Sequence, residues 1–338
     1  NCCYIIQPYQ CATQGCLIVF PMPGSKKFLH IQLWKIVFYT LNQNAMKRLF
    51  TLCCTFIVAM IVVHANAQGF DSVEIKTNKI TDNIYMLEGA GGNIGVLTGK
   101  DGIVLIDDQF APLSEKIKNA LKALSDKPVM FVINTHFHGD HTGGNENFGK
   151  DGAVIVAQEN SRLRMTMDQF TAAFQMNQPA APYDALAKVT FTESVTLHLN
   201  GETLELTHIN NAHTDGDAII YFKESNVIHT GDVFVRYGLP FIDQPHGGSI
   251  DGMIKGVDKI LSIANENTKI IPGHGALANK NDLIEYKKML QLLRDRIAGA
   301  MKASKTLDEI IKADPTKGYT AVFDRSAFIT LVYDSLKK

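Results

Sequence analysis

The amino-acid sequence predicts a mixed α/β domain of four layers, in which two sets of strands are flanked by helices. Two observations lead to this fold class. Short β-branched runs separated by turn residues occur in two groups along the chain, and segments with helical spacing of apolar residues flank both groups. Two sheets covered by helices bury their apolar faces as a layered α/β arrangement, which fits this pattern better than a barrel does.

The first half of the domain is predicted to alternate strands and turns around one helix. Turns rich in Asp, Asn and Gly separate its β-branched runs. A helix is predicted over 113–124, because Leu113, Ile117, Leu121 and Leu124 share one helical face. The predicted strands of this half are 73–76, 84–87, 94–98, 103–106, 129–133 and 154–157.

A long helix, a loop and a second strand set are predicted to follow. The helix covers 160–174 and is rich in Met and Arg, and its methionines are interpreted as packing residues. Residues 178–183 are predicted as a loop long enough to overhang a site. The predicted strands of the second set are 189–191, 195–199, 203–208, 218–222 and 227–229, and the later predicted helices are 252–264, 283–297, 307–312 and 326–336.

The first 67 residues are expected to lie outside the folded domain. A basic start at Met46-Lys47-Arg48, an apolar run over 49–63 and the small-x-small site Ala65-Asn66-Ala67 predict a signal peptide over 46–67, cleaved near Ala67. An uncleaved anchor is the alternative, although the apolar run is short for a membrane span. Residues 1–45 are expected to be a disordered upstream or mis-annotated extension. Residues 68–338 then form a single domain that is periplasmic or secreted, with no membrane contact after cleavage.

Charge and cysteine content restrict the partners of residues 68–338. Loss of residues 1–67 removes five basic side chains and no acidic ones, which lowers the formal net charge from −1 to −6. An acidic domain is a poor partner for nucleic acid. All six cysteines also lie before residue 68, so the domain has neither disulfides nor thiolate metal ligands.

A histidine-rich segment directly follows the predicted strand 129–133. His136, His138, Asp140 and His141 lie within six residues, and Gly139 allows the chain to turn among them. Imidazole nitrogens and carboxylate oxygens are ligands that Zn²⁺ accepts. A single histidine is more often structural than a ligand, but four such groups at a strand-to-loop junction predict a metal site.

Histidine or aspartate also follows three later strands, each time beside glycine. His213 lies in a polar turn after a strand ending near residue 209, Asp232 follows the strand 227–229, and His274 follows an apolar run ending at 271. This recurrence predicts a site at one rim of a sheet, with its side chains on loops. Taken singly, either histidine could be structural, and Asp232 could be a turn or capping residue.

Together these residues resemble the metallo-β-lactamase-fold metallo-hydrolase superfamily, over about residues 83–296. The matching motif, in chain order, is His136-x-His138-x-Asp140-His141, His213, Asp232 and His274. The resemblance implies a four-layered αβ/βα sandwich with a binuclear zinc site in the cleft between its sheets. It implies that the first zinc is held by His136, His138 and His213, the second by Asp140, His141 and His274, and that Asp232 bridges both.

The resemblance implies a zinc-dependent hydrolase with two Zn²⁺ per chain, in which a metal-bound hydroxide attacks a carbonyl substrate. Asp140 is the predicted catalytic residue, because it could orient the nucleophile and pass on its proton while also binding metal. Fe or Mn occupies some sites with this ligand set and stays an alternative. Asp215 and Asp217 are candidates to orient the histidine rings, with solvated turn carboxylates as the alternative.

The sequence departs from part of the family pattern. The commonest true metallo-β-lactamases place a cysteine on the second zinc and an arginine where His141 stands. The set with His141 and Asp232 is more similar to glyoxalase II, lactonases and related hydrolases, whereas flavodiiron proteins need glutamate where His138 stands. Tyr237 and His246, in the segment after Asp232, are predicted substrate contacts, and a position on the loop surface is the alternative for His246.

Three functions stay open at this point. The first is β-lactam hydrolysis by an exported enzyme, and hence antibiotic resistance, since export places the enzyme where such drugs meet their targets. The second is a lactonase or a thioesterase similar to glyoxalase II, which Asp232 favours. The third is a non-catalytic metal-binding protein, which the intact ligand set disfavours. The predicted partner is a small-molecule substrate, and neither its identity nor the oligomeric state follows from the sequence.

Overall fold

Two β-sheets lie face to face, and helices cover the outer face of each. A computed structural model describes residues 69–337, which belong to one compact unit. The expected extension 1–45 and signal peptide 46–67 lie outside the described residues.

The first sheet has seven strands. Neighbouring strands are antiparallel from β1 to β4 and parallel from β4 onward. In order across the sheet they are β1 (Lys76–Lys79), β2 (Ile84–Glu88), β3 (Ile94–Leu97), β4 (Ile103–Ile106), β5 (Val129–Ile133), β6 (Val154–Gln158) and β9 (Val189–Phe191).

The second sheet has five strands, and a separate two-stranded hairpin lies between β6 and β9 in the chain. The strands of the second sheet are β10 (Ser194–Leu199), β11 (Glu202–Ile209), β12 (Asp217–Phe222), β13 (Val227–His229) and β14 (Lys269–Ile271). They are antiparallel except for the parallel pair β13 and β14. The hairpin consists of β7 (Gln169–Thr171) and β8 (Met176–Gln178).

Several helices begin at residues whose side chains cap them. Asn279 and Asp282 form a reciprocal capping box at the start of α6 (Lys280–Lys302), and Thr306 and Glu309 form another at the start of α7 (Leu307–Ala313). The helices are α1 (Ser114–Lys122), α2 (Gly139–Thr142), α3 (Asn145–Lys150), α4 (Glu159–Met165), α5 (Ile250–Ile263), α6 (Lys280–Lys302), α7 (Leu307–Ala313) and α8 (Arg325–Ser335).

Three apolar cores separate the four layers. One core lies between the sheets, one packs α1 and α3 on the first sheet, and one packs α5, α6 and α8 on the second. Alternating residues of one strand supply two of these cores: in β4, Val104 and Ile106 face the other sheet while Leu105 faces the helices. Both faces of the strand are therefore buried, and the predicted four-layered α/β fold is confirmed.

The helix predicted over 160–174 is wrong beyond residue 165. The side-chain amide of Gln169 donates to the carbonyl oxygens of Arg164 at 2.7 Å and Met167 at 3.2 Å, which occupies acceptors that a continuing helix would use. The chain then forms the hairpin of β7 and β8, joined by a short turn in which Gln175 adopts a left-handed conformation. The local apolar spacing predicted a longer helix, but the side-chain hydrogen bonds of Gln169 and the pairing of β7 with β8 end the helix at residue 165.

The strand directions bring several strand ends to one rim. The parallel pair β4 and β5 ends on the same side, and so does the parallel pair β13 and β14. The strands β11 and β13 are each antiparallel to β12, so they run the same way as each other. Loops after these strands therefore meet above the two sheets. Among residues 69–337, no helix has the length and apolar character needed to span a membrane.

Candidate metal centre

The histidine-rich segment leaves β5 and closes into a single helical turn. The backbone N–H and the hydroxyl of Thr135 each donate to the Asp107 carboxylate at 2.7 Å. The turn α2 begins directly after His138 and contains Asp140 and His141. The end of β5 is thus tied to the end of β4, which holds the segment at the rim.

Three buried histidines form the first group of candidate ligands. They are His136, His138 and His213. Nδ1 of His138 lies 3.1 Å from Nε2 of His136 and 2.9 Å from Nε2 of His213. The ring of His213 comes from the loop after β11, so this group joins the two sheets.

A second group contains Asp140, His141 and His274. Nε2 of His274 lies 3.2 Å from Oδ2 of Asp140 and 3.2 Å from Nε2 of His141. His274 follows β14, whereas the other two side chains belong to α2. This group therefore also contains residues from both halves of the fold.

Asp232 lies between the two groups. Its Oδ1 is 3.3 Å from Nε2 of His141, and its Oδ2 is 3.5 Å from Nε2 of His274 and 3.9 Å from Nε2 of His213. Oδ1 is buried without a hydrogen-bond partner in the described part of the chain. A Cβ at Gly273 would lie 1.9 Å from Oδ1, so only glycine fits beside this carboxylate. The structure thus brings all seven sequence-predicted side chains together.

In four rings the nitrogen opposite the centre has an oxygen partner to which it donates, so in the neutral ring the nitrogen that faces the centre is a lone-pair acceptor. These partners are Thr135 Oγ1 at 3.0 Å for His136, Asp243 Oδ2 at 2.8 Å for His138, Asp107 Oδ2 at 2.8 Å for His141 and the carbonyl oxygen of Phe241 at 2.8 Å for His213. In the first group, lone pairs that converge without a donor repel one another, and in the second group two carboxylates face the rings of His141 and His274. A bound cation removes that repulsion, so the donor set fits metal ions.

The electrostatics of the two groups agree with the interpretation of the donor set as a metal site. Burial, reinforced by the neighbouring histidines, lowers the pKa of His136 well below its usual value, and burial lowers the pKa of His213 to about 4. Both rings are therefore neutral at pH 7 and can offer lone pairs. In the second group, burial opposes protonation, but the Asp232 charge and the hydrogen bonds that His274 donates to the Asp140 and Asp232 carboxylates raise the pKa of His274 to about 9. The carboxylates there attract positive charge.

Two buried aspartates that hold the histidine rings were not predicted from the sequence. Asp107 receives the Nδ1–H of His141, and Asp243 receives the Nε2–H of His138. The sequence signal used for Asp232 is an acidic residue directly after an apolar strand. Asp107 shows the same signal, because it directly follows the predicted strand 103–106. Asp243 lies in a long loop without such a signal. Both contacts fix which ring nitrogen faces the centre.

The two predicted substrate contacts occupy different positions. His246 is buried, its Nδ1 lies 2.7 Å from Oδ2 of Asp243, and its ring centroid is 5.2 Å from that of Phe137. The alternative of a loop-surface histidine is therefore wrong. The half-buried ring of Tyr237 lies 5.6 Å from the ring of His274. Contact of either residue with substrate stays a prediction.

Neither the Asp215 nor the Asp217 carboxylate contacts the ring of a candidate ligand in the described residues, so that suggestion is wrong. The Asp215 carboxylate receives a 2.6 Å hydrogen bond from Arg164. The Asp217 carboxylate receives the backbone N–H and the hydroxyl of Thr214 at 2.8 and 2.6 Å. These contacts stabilise the turn that carries His213 rather than its ring.

Replacement of Asp243 tests the ring-holding role. Asp243→Asn is expected to weaken metal binding by about 10–100-fold, because the amide no longer attracts the Nε2–H of His138 as a carboxylate does. Competition with a chromogenic chelator measures this affinity. Asp82→Asn, at a fully exposed side chain, is the control and should bind metal as the wild type does. Equal affinity of Asp243→Asn and wild type would contradict the role.

The family model described as the metallo-beta-lactamase superfamily matches residues 87–274, which is more than half of the chain. These residues include all seven candidate ligands. The agreement between this match and the rim geometry confirms the resemblance found in the motif.

Of three similar proteins, two are named metallo-beta-lactamases and one is named a sulfatase. "Metallo-beta-lactamase type 2" of Elizabethkingia meningoseptica is 25% identical over 194 residues, covering 54% of this chain and 71% of that protein. "Alkyl/aryl-sulfatase BDS1" of Saccharomyces cerevisiae is 35% identical over 79 residues, covering 22% of this chain and 12% of that protein. The structure "Metallo-beta-lactamase from Pontibacter korlensis" has a TM-score of 0.53 at 18% identity, covering 64% of this chain and 99% of that one.

Proposed function

This chain belongs to the metallo-beta-lactamase superfamily, and from that premise we propose that it is an exported binuclear zinc hydrolase that opens β-lactam amides. The observation that carries the proposal is the convergence of two ligand groups with Asp232 between them. The lone pairs of the first group face one another, which is unfavourable unless a cation lies between them.

The proposed ligands divide between two metal ions. His136, His138 and His213 would hold the first, Asp140, His141 and His274 the second, and Asp232 would contact both. Nitrogen and oxygen donors of this kind suit Zn²⁺, and Fe or Mn is the alternative. When bound, the ions polarise a substrate carbonyl and lower the pKa of water.

The acidic side chains around the two ions would then have different roles in the reaction. Asp140 would accept a proton from the attacking water at its carboxylate and pass it to the leaving nitrogen. In that reaction the amide C–N bond breaks, the carbonyl carbon gains a hydroxyl and the nitrogen gains a proton. The carboxylate of Asp140 suits this task because it is partly exposed, at 26%, whereas Asp232 is buried. Asp107 and Asp243 would keep the rings in place.

Two further hydrolytic reactions are the second candidates. The set of His141 and Asp232 favours lactone or thioester hydrolysis, since the resemblance to glyoxalase II and lactonases rests on it. The local similarity to a protein named an alkyl/aryl-sulfatase adds sulfate esters. A non-catalytic metal-binding protein is the candidate from another class, and the proton-transfer position of Asp140 speaks against it.

A parallel assay distinguishes these functions. We expect the purified, zinc-loaded protein to hydrolyse a chromogenic cephalosporin with a higher kcat/KM than an acyl lactone, a thioester or an aryl sulfate. Export supports this ranking, because β-lactams act outside the cytoplasm. A higher kcat/KM for one of the other three would replace the proposed substrate with that one. Stoichiometric metal without hydrolysis of any of them would support the non-catalytic function.

Export is proposed from the pattern at residues 46–67. Expression of the full chain in a bacterial host is expected to yield protein in the periplasmic fraction, with Gln68 as its first residue by mass spectrometry. The reason is that Ala65 and Ala67 fit a signal-peptidase site after the apolar run. Cytoplasmic protein that retains residues 46–67 would contradict export without affecting the proposed chemistry.

A further inference from the structure

A turn between β2 and β3 contacts the second ligand group from outside it, and we call Gly91, Gly92 and Asn93 the clamp turn. The backbone N–H of Gly92 donates to the carbonyl oxygen of Asp140 at 3.0 Å. A Cβ at Gly92 would lie 2.1 Å from Cε1 of His141, so glycine is required where the turn passes this ring. The clamp turn therefore lies directly against α2.

Asn93, which is 4% exposed, holds the loop that carries His274. Its backbone N–H donates to the carbonyl oxygen of Gly273 at 2.7 Å, and its side-chain amide donates to those of Pro272 at 2.9 Å and Gly275 at 2.8 Å. The bond to Pro272 is buried, and a buried acceptor that loses its donor is costly. One asparagine thus fixes the backbone on both sides of His274.

A buried histidine connects the clamp turn to Asp232. Nε2 of His229, at the end of β13, donates to the carbonyl oxygen of Asn93 at 3.0 Å, and its Nδ1 accepts the backbone N–H of Gly231 at 3.2 Å. These bonds use both ring nitrogens of a neutral histidine, so His229 positions backbone and is not itself a metal ligand. Because Gly231 directly precedes Asp232, the clamp turn is linked to the backbone beside the proposed bridging ligand.

The first ligand group is held by other contacts. The backbone N–H of Ala218 donates to the carbonyl oxygen of Thr135 at 2.7 Å, directly before the histidine-rich segment, and Asp243 bonds His138 at 2.8 Å. Within residues 69–337, no hydrogen bond joins the clamp turn to the three histidines of this group. Each group therefore has its own connections between the halves of the fold.

We propose that Asn93 is a positioning residue for the second metal ion, acting through the clamp turn without affecting the first ion. The inference rests on the two metal ions of the proposed function, and it adds the contacts that decide whether the second is held. Asp140 and His141 belong to α2, whereas His274 comes from the other half of the fold. Without the Asn93 amide, the loop after β14 loses two of the three hydrogen bonds that hold it to the clamp turn. Affinity for the second ion should then fall by about 10–100-fold, whereas affinity for the first should not change.

Titration of the metal-free protein with Co²⁺ tests the proposal, because the absorption of bound Co²⁺ follows each binding step. Asn93→Ala and the wild type are compared. His213→Ala and His274→Ala each lack one ligand and identify which step belongs to which group. We expect Asn93→Ala to lose affinity only at the step that His274→Ala removes. Asn119→Ala, at an exposed asparagine of α1, is the matched control and should keep both wild-type affinities.

A second measurement keeps Asn93 and covers the case in which Asn93→Ala does not fold. Zn²⁺ added to His213→Ala, which keeps the second group, should slow hydrogen exchange at the backbone N–H groups of Asn93, Gly231 and Gly273. The reason is that a site and the backbone that positions it stabilise each other reciprocally. Zn²⁺ added to His274→Ala, which keeps the first group, should leave these three rates unchanged.

The outcomes separate this inference from the proposed function. Selective loss of the second ion in Asn93→Ala would support the clamp turn even if no β-lactam is hydrolysed. Wild-type affinities in Asn93→Ala, or equal weakening at both steps, would overturn it whichever substrate the protein hydrolyses. Equal slowing of exchange in the two ligand variants would overturn it as well. A wild type that binds fewer than two ions would overturn the binuclear centre together with this inference.

Discussion

Removal of metal from the purified protein is expected to lower kcat/KM by at least about 10³-fold, because the ions supply several kcal/mol of transition-state stabilisation at about 1.4 kcal/mol per factor of ten. Added Zn²⁺ should restore the rate. The metal-free protein should also unfold at a lower temperature, since ions that bind only the folded state stabilise it. Activity after dialysis against a chelator, followed by titration with Zn²⁺, measures both the loss and the recovery.

Metal content provides the control for this result. Mass spectrometry of the digested protein measures its metal content. We expect two metal ions per chain in the wild type and fewer in His213→Ala. His198→Ala, at an exposed histidine of β10, should keep the wild-type content, which shows that the loss is specific to the centre. A metal-free wild-type preparation with full activity would contradict the proposed chemistry.

Asp140→Asn is expected to lower kcat by about 10²–10⁴-fold, because the amide cannot accept the proton that the carboxylate passes to the leaving group. The melting temperature should change little, since the Asp140 side chain is partly exposed and has no role in the three apolar cores. Steady-state kinetics and thermal unfolding of the same preparation measure the two quantities.

Asp82→Asn is the control for this substitution. Its side chain is fully exposed and pairs with Lys79 rather than with a candidate ligand. The turnover of Asp82→Asn should therefore equal that of the wild type. If Asp140→Asn keeps wild-type turnover, proton transfer must occur at another group. If it unfolds at a much lower temperature, its effect on kcat cannot be assigned to catalysis.

The close approach at the centre explains several backbone features of the rim. Asp107 adopts a positive φ of 64°, an unusual conformation for a residue with a side chain. That conformation lets one carboxylate contact both Thr135 and His141. Gly273 passes so close to Asp232 that any side chain would collide with its carboxylate. The backbone at the rim is therefore locally strained where it positions the candidate ligands, as is common at functional sites.

The sequence was sufficient for the features that depend on short segments. The periods of β-branched and apolar residues predicted two strand sets and most helices, because burial on a defined face imposes those periods. The seven candidate ligands were found because each follows an apolar strand beside a turn, where a rigid scaffold can present it. Local conflict explains the wrong helix after residue 165, where Gln169 competes for backbone acceptors.

Contacts between distant parts of the chain were decided only by the tertiary structure. Asp243 bonds His138 across 105 positions, and Phe241 meets Phe174 and Phe323 from three separate segments. The periodicity of a short segment cannot predict such pairs, because each pair depends on how loops pack once both sheets have formed. The composition of short segments thus determined the layers and the donor set. The packing of long loops determined which ring nitrogen faces inward and which apolar surface lies beside it.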